Sequence, residues 1–135
     1  ALNTPEETEM PYLETAGGTE AEIDTRIIAS IEKNNPVNIT RFTRVFLEST
    51  GPGMKSIRQA LAAGNNEGLI QLGHRFKSSA SSMGASHLSA LLAALEQSAR
   101  AGDMEKARTL VDEIDTSWQR VEAELKAFIA NQPSA

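Results

Sequence analysis

The chain has no cysteine among its 135 residues, which excludes disulfide bonds, thiolate nucleophiles and cysteine-ligated metal sites. It also has no run of about 18 apolar residues, so the sequence predicts no membrane-spanning helix and no direct membrane contact. No basic segment followed by an apolar stretch suggests a secretory signal. A cytoplasmic protein is therefore the default expectation.

Aromatic residues make up only 4% of the chain, and its 13 lysines and arginines are scattered through a sequence of net charge −5. Proteins that bind nucleic acids usually present a cluster of basic residues, and those that bind single strands add aromatic side chains on which bases stack. Neither feature is visible, so we expect no nucleic-acid partner.

Motifs of enzymes and metal sites are missing as well. The sequence has no glycine-rich phosphate loop and no His-Glu-x-x-His motif. The two histidines, His74 and His87, are not four residues apart, and no acidic cluster accompanies them, so no metal site is predicted. We interpret His87 as a surface residue and Trp118 as a core residue.

Proline, glycine and acidic residues concentrate in residues 1–18, which indicates a flexible leader or linker. Residues 19–133 carry apolar side chains at intervals of three and four, without an alternating strand pattern. This length predicts one domain, and short connections favour antiparallel neighbours. The predicted fold is all-α: an up-down antiparallel four-helix bundle with an additional N-terminal helix.

The first predicted helix has a start and a stop signal. Thr19 and Glu22 fit a capping box at its start. The Asn-Asn-Pro sequence of residues 34–36 ends it. Its apolar stripe is expected to consist of Ile23, Ile27 and Ile31.

The second predicted helix starts near Asn38 and ends at residues 64–66, Gly-Asn-Asn. The Gly-Pro-Gly sequence of residues 51–53 interrupts it, so we expect a kink or a short break there. Its apolar stripe is expected to contain Ile39, Phe42, Val45 or Phe46, Ile57 and Leu61.

The remaining helices are bounded by similar signals. Asn65 or Asn66 is free to cap the third helix, which Gly84 closes. Ser86 is expected to cap the fourth helix and Asp103 the fifth. The predicted core residues of these two helices are Leu88, Leu91, Leu92, Leu95, Ala107, Leu110, Val111, Ile114, Trp118, Val121, Leu125 and Phe128.

The helix predicted over residues 69–84 carries the most informative residue, His74. At about 100° per residue, its apolar side chains fall on one stripe, and His74 lies roughly opposite. We therefore expect the imidazole to stand in solvent, with Lys77 one turn away and small hydroxyl side chains beside it. Such an arrangement is suited to receiving an anionic group. The residues of the stripe, expected to be buried, are Leu69, Leu72, Phe76, Ala80 and Met83.

His74, Lys77, Gly84 and Ala85 together resemble the signature of histidine-containing phosphotransfer (HPt) domains. In that family a lysine follows the histidine by three residues and a glycine follows it by ten. Two upstream segments also resemble the helix that precedes the phosphorylated one: Phe-Leu-Glu-Ser-Thr at 46–50 and Ile-Arg-Gln-Ala-Leu-Ala-Ala-Gly-Asn at 57–65.

The resemblance covers about residues 20–131 and implies a phosphorelay carrier in which His74 is the phosphorylation site, through its Nε2 atom. It implies that Lys77 and Ser78 stabilise the phosphate. One departure is clear, because the family usually has glycine where this sequence has Ser78. A small serine keeps the histidine accessible but changes the surroundings of the phosphoryl group.

The partner implied by the resemblance is a response-regulator receiver domain, which supplies an aspartate and Mg²⁺. No cofactor is expected to bind to this chain itself. We expect a monomer that is the C-terminal module of a hybrid sensor histidine kinase, with a kinase core in the same parent chain and a location on the cytoplasmic side of an inner membrane. The expected docking residues are Ile70, Gln71, Arg75 and Ser81.

Ile70 is expected to dock because it is apolar yet lies on the His74 face. An alternative hypothesis is a helical interaction module that docks a partner through this face without phosphorylation. An enzymatic role ranks third, because ATP-binding motifs of a kinase are absent from the sequence.

Overall fold

The computed structural model describes residues 21–34 and 38–132, which form five α-helices and no strand. Short turns make α2 to α5 antiparallel neighbours, α5 packs back against α2, and α1 lies against α2. The predicted all-α bundle with an additional N-terminal helix is confirmed, whereas the predicted leader at 1–18 lies outside the described residues. None of the described helices is long and apolar enough to cross a bilayer. The helices are α1 Thr25–Asn34, α2 Ile39–Ala62, α3 Asn66–Ser82, α4 Ser86–Arg100 and α5 Met104–Ala130.

The turns between the helices follow local sequence signals. The side chains of Asn65 and Asp103 cap α3 and α5, as predicted. The predicted cap at Ser86 is wrong, because the buried Ala85 precedes α4 and Ser86 is its first helical residue. Three glycines with left-handed backbone conformations end α2, α3 and α4: Gly64, Gly84 and Gly102, with φ of 67°, 82° and 74°.

A single apolar core fills the space between the bundle helices. The four leucines predicted for α4 are buried, and so is the predicted stripe of α5 from Ala107 to Leu125, including Trp118. Phe128, near the end of α5, is only half-buried. On α3 the predicted burial is confirmed except for Leu72, which is half-buried at the margin of the stripe.

The first helix begins later than the sequence predicts. Residues 21–24 are not helical and α1 begins at Thr25, so the capping box at Thr19, itself outside the described residues, is wrong. The Asp24 carboxylate instead accepts a hydrogen bond from the backbone N–H of Arg26 at 3.0 Å. This bond satisfies one of the N–H groups that a helix start leaves unpaired.

The apolar stripe of α1 differs from the prediction for the same reason. Because Ile23 precedes the helix, it is not in phase with the helical positions that follow. Ile23 and Ile28 are buried, Ile31 is half-buried, and Ile27 is exposed. The face that α1 turns to the bundle is therefore centred on Ile28 rather than on Ile27.

Of the kink or short break expected at residues 51–53, the break is wrong, because α2 is one helix from Ile39 to Ala62 with Pro52 inside it. Proline lacks the N–H group that would bond to the carbonyl of Glu48. Pro52 and Glu48 are both exposed. Water can therefore hydrate that carbonyl, and the helix continues.

Phe42 was expected in the apolar stripe of α2 but is 45% exposed. Of the alternatives Val45 and Phe46, Phe46 is the buried one and Val45 is 54% exposed. The buried positions at this end of α2 are Ile39, Thr43 and Phe46. Thr43 can be buried because its hydroxyl donates a hydrogen bond to the Ile39 carbonyl at 2.8 Å. Because threonine is polar, Thr43 was not counted among the apolar residues from which the buried face of α2 was predicted.

We expect Gly53→Ala to destabilise the fold by about 1–3 kcal/mol. A Cβ atom at this position would lie 2.3 Å from the ring of the buried Phe76. In the matched variant Gly51→Ala, the Cβ atom would meet Trp118 at 3.8 Å, an ordinary contact. That variant should change the free energy of unfolding by less than about 0.5 kcal/mol. Urea titration of both variants measures the difference, and equal stabilities would show that the Phe76 ring has room to move.

Candidate functional site

The imidazole of His74 stands near the middle of α3, with 67% of the side chain exposed. On the opposite face of the helix Leu69, Phe76 and Ala80 are buried in the bundle. The exposure predicted from helical periodicity is therefore confirmed. One ring edge is held by the protein, and the rest is open to a partner.

The protein contact of His74 is Glu96, which lies on α4 and is only 4% exposed. The distance from His74 Nδ1 to Glu96 Oε2 is 3.2 Å. The same carboxylate accepts a hydrogen bond from Lys77 Nζ at 2.7 Å and another from Arg100 Nη2 at 2.8 Å. A buried carboxylate thus joins an imidazole and two cations from neighbouring helices.

Gly73 allows α4 to come this close to α3. A Cβ atom at this position would lie 3.0 Å from the Leu92 carbonyl oxygen and 3.3 Å from Glu96 Cβ. A hydrogen bond from the Ser89 hydroxyl to the Lys77 carbonyl, 2.7 Å long, ties the same two helices together one turn further on. The glycine before the histidine therefore sets the distance at which Glu96 meets the ring.

The charge of Glu96 is stabilised by its partners. Hydrogen bonds from Lys77 and Arg100 lower the pKa of Glu96 from its ordinary 4.5 to about 2, against the opposing effect of desolvation. An ionised carboxylate can only accept hydrogen bonds, so the nitrogen facing it, His74 Nδ1, must donate. The lone pair of the neutral ring then lies on Nε2, away from Glu96.

Glu96 was not predicted from the sequence as a site residue. Lys77 was expected one turn from His74, and the structure also pairs it with Glu96. A signal was present in the sequence, because Glu96 continues the four-residue spacing of the buried Leu88 and Leu92. A carboxylate in phase with an apolar stripe indicates a buried partner.

The other predicted site residues surround His74 on α3 with different exposure. Ser78 and Ser81 are exposed. Gln71 is also exposed and hydrogen-bonds to Glu67 at 3.3 Å. The Arg75 guanidinium lies 5.1 Å from the centre of the ring of the adjacent residue, Phe76.

Ile70, expected on the His74 face, lies only partly there. Ile70 is half-buried and packs against the apolar core. Its docking role stays a prediction, but only part of the side chain is available to a partner.

An apolar groove with a volume of about 410 Å³ opens between α1, α2 and α3. Phe42 and Val45, the most exposed large apolar side chains in the described part of the chain, lie on its α2 side. The exposed Arg41 and Arg44 are their neighbours in sequence. We call this surface the α1–α2 groove; its lining residues are Ile31, Phe42, Val45, Phe46, Ser49, Ser79, Ser82 and Met83.

Comparisons with known proteins point to one family. The family model of the Hpt domain matches residues 41–124, a range that contains His74, Lys77 and Glu96. The crystal structure of histidine-containing phosphotransfer protein B (HptB) from Pseudomonas aeruginosa PAO1 is similar, with a TM-score of 0.79 and 26% sequence identity. That similarity covers 83% of this chain and 97% of the HptB chain. None of the curated proteins compared with the sequence matches it.

Acid should weaken the contribution of Glu96 to stability. Its pKa is lowered on folding from 4.5 to about 2, so this contribution is complete above about pH 4.5 and is lost as the pH falls towards 2. We therefore expect the difference in free energy of unfolding between the wild type and Glu96→Gln to shrink between about pH 7 and about pH 3. Urea titrations at several pH values measure it.

The exposed Glu113 on α5 provides the control. The free energy of unfolding of Glu113→Gln should differ little from that of the wild type at each pH, because neutralising an exposed carboxylate removes little stability. A difference for Glu96→Gln that stays constant with pH would show that the charge of Glu96 does not stabilise the fold.

Proposed function

Because the chain belongs to the Hpt domain family, we propose that it is a phosphorelay carrier in two-component signal transduction. In this proposal His74 accepts a phosphoryl group from the aspartyl phosphate of one receiver domain and passes it to another. The observation that carries the proposal is the exposed imidazole whose Nδ1 atom contacts the buried Glu96 carboxylate.

The arrangement suits Nε2 as the nucleophile. Its lone pair attacks the phosphorus atom, and the N–P bond forms as the P–O bond to the aspartate breaks. The aspartate leaves as a carboxylate with the bonding electron pair. Since Nδ1 keeps its proton, the phosphorylated ring carries a positive charge, which Glu96 stabilises from 3.2 Å. No proton leaves the ring in this step, so the step requires no general base.

Lys77 and Ser78 are the residues we propose to stabilise the phosphoryl oxygens. A lysine ammonium has three N–H donors, and Glu96 accepts a hydrogen bond from Lys77 at 2.7 Å. The remaining donors can point to a phosphate while the ion pair is kept. Ser78, exposed beside Lys77, can add a hydroxyl donor.

The receiver domain is expected to bring both the aspartate and Mg²⁺. The Glu96 oxygens near His74 are already bonded to cations of the protein, Lys77 and Arg100. They are therefore poorly placed to bind a metal ion as well. Coordination of the transferred group would fall to the partner, in keeping with a carrier that binds no cofactor.

The docking surface we propose combines the His74 face with the α1–α2 groove. Ser82, at the edge of this groove, lies about 80° around α3 from His74, so one partner can cover both. The exposed Phe42 and Val45 supply apolar surface for burial on docking. The earlier candidates Gln71, Arg75, Ser81 and the half-buried Ile70 remain part of this proposed surface.

We also propose which larger protein contains the domain and where that protein is located. We expect a monomer that acts as the C-terminal module of a hybrid sensor histidine kinase, on the cytoplasmic side of an inner membrane. Two receivers, one before and one after this domain in the relay, would then use the same face in turn, since both must reach Nε2 of His74.

His74→Gln should abolish phosphoryl acceptance. The side chain is exposed and away from the core, so the free energy of unfolding should change by only about 0.5 kcal/mol. The measurement is incubation with a phosphorylated receiver, followed by detection of a label that is acid-labile and alkali-stable. His87→Gln is the control and should still be labelled to the same final extent, because His87 is not the proposed acceptor. Labelling of His74→Gln at the wild-type rate would assign the acceptor to another residue.

Val45→Glu should weaken receiver docking without unfolding the domain. Val45 is 54% exposed, so the loss of stability should stay near about 0.5 kcal/mol, while a carboxylate in an apolar interface is costly. We expect a higher KM for the phosphorylated receiver and an unchanged kcat. The control is Ala101→Glu, an exposed position directly after α4. It lies near the start of α3, where Asn66 donates a hydrogen bond to the Ala99 carbonyl, and so at the end of α3 opposite the groove. An unchanged KM for Val45→Glu would remove the groove from the docking surface.

A further inference from the structure

A second buried carboxylate, that of Glu22, lies in the segment before α1. Its side chain is only 6% exposed. The Ser117 hydroxyl of α5 donates a hydrogen bond to Oε1 at 2.8 Å, and His87 Nδ1 at the start of α4 lies 3.3 Å from the same oxygen. Arg120 Nη1 is 3.5 Å from Oε2. One side chain thus joins the N-terminal segment to two helices of the bundle.

The backbone of the same segment is also fixed. The N–H groups of Glu22 and Ile23 donate to the Glu124 carboxylate at 2.8 to 3.0 Å. The next N–H, that of Asp24, donates to the Gly84 carbonyl at 2.8 Å. We use the term N-terminal clasp for five residues: Glu22, His87, Ser117, Arg120 and Glu124.

Helix α1 itself is held much less firmly than this segment. Among the five helices it packs mainly on α2 and makes the smallest interface. Most of its side chains are exposed, and Ile28 is the large apolar residue that it buries. The clasp at its start therefore contributes much of what determines where α1 lies.

The contacts of the clasp are better suited to fixing the position of α1 than to stabilising the fold. Removing a carboxylate from water is unfavourable, and paired cations and hydrogen bonds often only offset that cost. An apolar side chain in place of Glu22 could also be buried here, but it would not fix the segment before α1 in one orientation. The hydrogen bond from Ser117 and the contacts with His87 and Arg120 fix both carboxylate oxygens and, through them, the start of α1.

We propose that Glu22 is a positioning residue that sets the affinity of the domain for its receiver. Helix α1 contributes Ile31 to the α1–α2 groove, so a shift of α1 changes the width of that groove. The chemistry at His74 lies on α3 and α4 and should not depend on the clasp. This inference rests on the proposed function, because it assigns the groove to receiver docking.

Three measurements on Glu22→Ala test the proposal. Hydrogen exchange of the α1 amides reports the position of that helix. A panel of receivers is first phosphorylated with acetyl phosphate, and the receiver that transfers fastest to the wild type is chosen. Phosphoryl transfer from this receiver gives KM and kcat. Labelling of His74 by phosphoramidate, a small donor that needs no docking surface, reports the chemistry alone.

We expect exchange in α1 to accelerate by about tenfold or more, and KM for the receiver to rise by about tenfold, in Glu22→Ala. The receiver kcat and the rate of phosphoramidate labelling should stay within about twofold of the wild type. Glu22→Gln keeps an oxygen for Ser117 but loses the charge, so it should change KM in the same direction by less. Glu113→Ala, with the same loss of charge on the exposed face of α5, should change neither quantity.

An unchanged KM in Glu22→Ala, with α1 exchange accelerated, would overturn the proposal. Faster exchange spread evenly over α2 to α5 would also overturn it, because Glu22 would then serve global stability; Glu22→Gln repeats the test in a milder variant. If no receiver transfers to the wild type, the proposed function fails. Hydrogen exchange would then still decide whether the clasp holds α1, so the two failures are distinguishable.

Discussion

The close approach of α3 to α4 at Gly73 is the constraint on which the candidate site depends. Only at this separation does the Glu96 carboxylate reach Nδ1 of His74. A larger side chain would meet the Leu92 carbonyl and push the helices apart. A glycine without any functional group therefore determines which edge of the imidazole is occupied, and so which edge is free to react.

The two carboxylates most deeply buried in the described part of the chain, Glu96 and Glu22, share one arrangement. Each faces the Nδ1 atom of an exposed histidine and each is close to an arginine. Their surroundings separate their roles. Glu96 lies within the bundle beside the His74 face, whereas Glu22 precedes α1 and contacts α4 and α5. In both cases the buried charge fixes a geometry that apolar packing alone would leave open.

Local signals in the sequence predicted most of the bundle. A cap such as Asp103 and a terminating glycine such as Gly84 act within a few residues, and their effect does not depend on the rest of the fold. The exposure of His74 followed from helical periodicity for the same reason. The predicted start of α1 was wrong because Glu22 contacts residues that lie about 65 to 100 positions later in the sequence. Capping rules consider only neighbouring residues, so they could not predict these contacts.

The contact of Glu96 with His74 was not predicted, because the partners of Glu96 come from two helices and meet only in the folded bundle. Once Lys77 and Arg100 hold its pKa at about 2, the carboxylate remains ionised throughout the neutral and mildly acidic pH range. The hydrogen-bonding role of Nδ1 is then set by the position of Glu96 and not by the surrounding pH. In the proposed transfer, the packing of α3 on α4 thus selects the nitrogen of His74 that reacts. The approach of the proposed partner depends instead on α1, α2 and the groove between them.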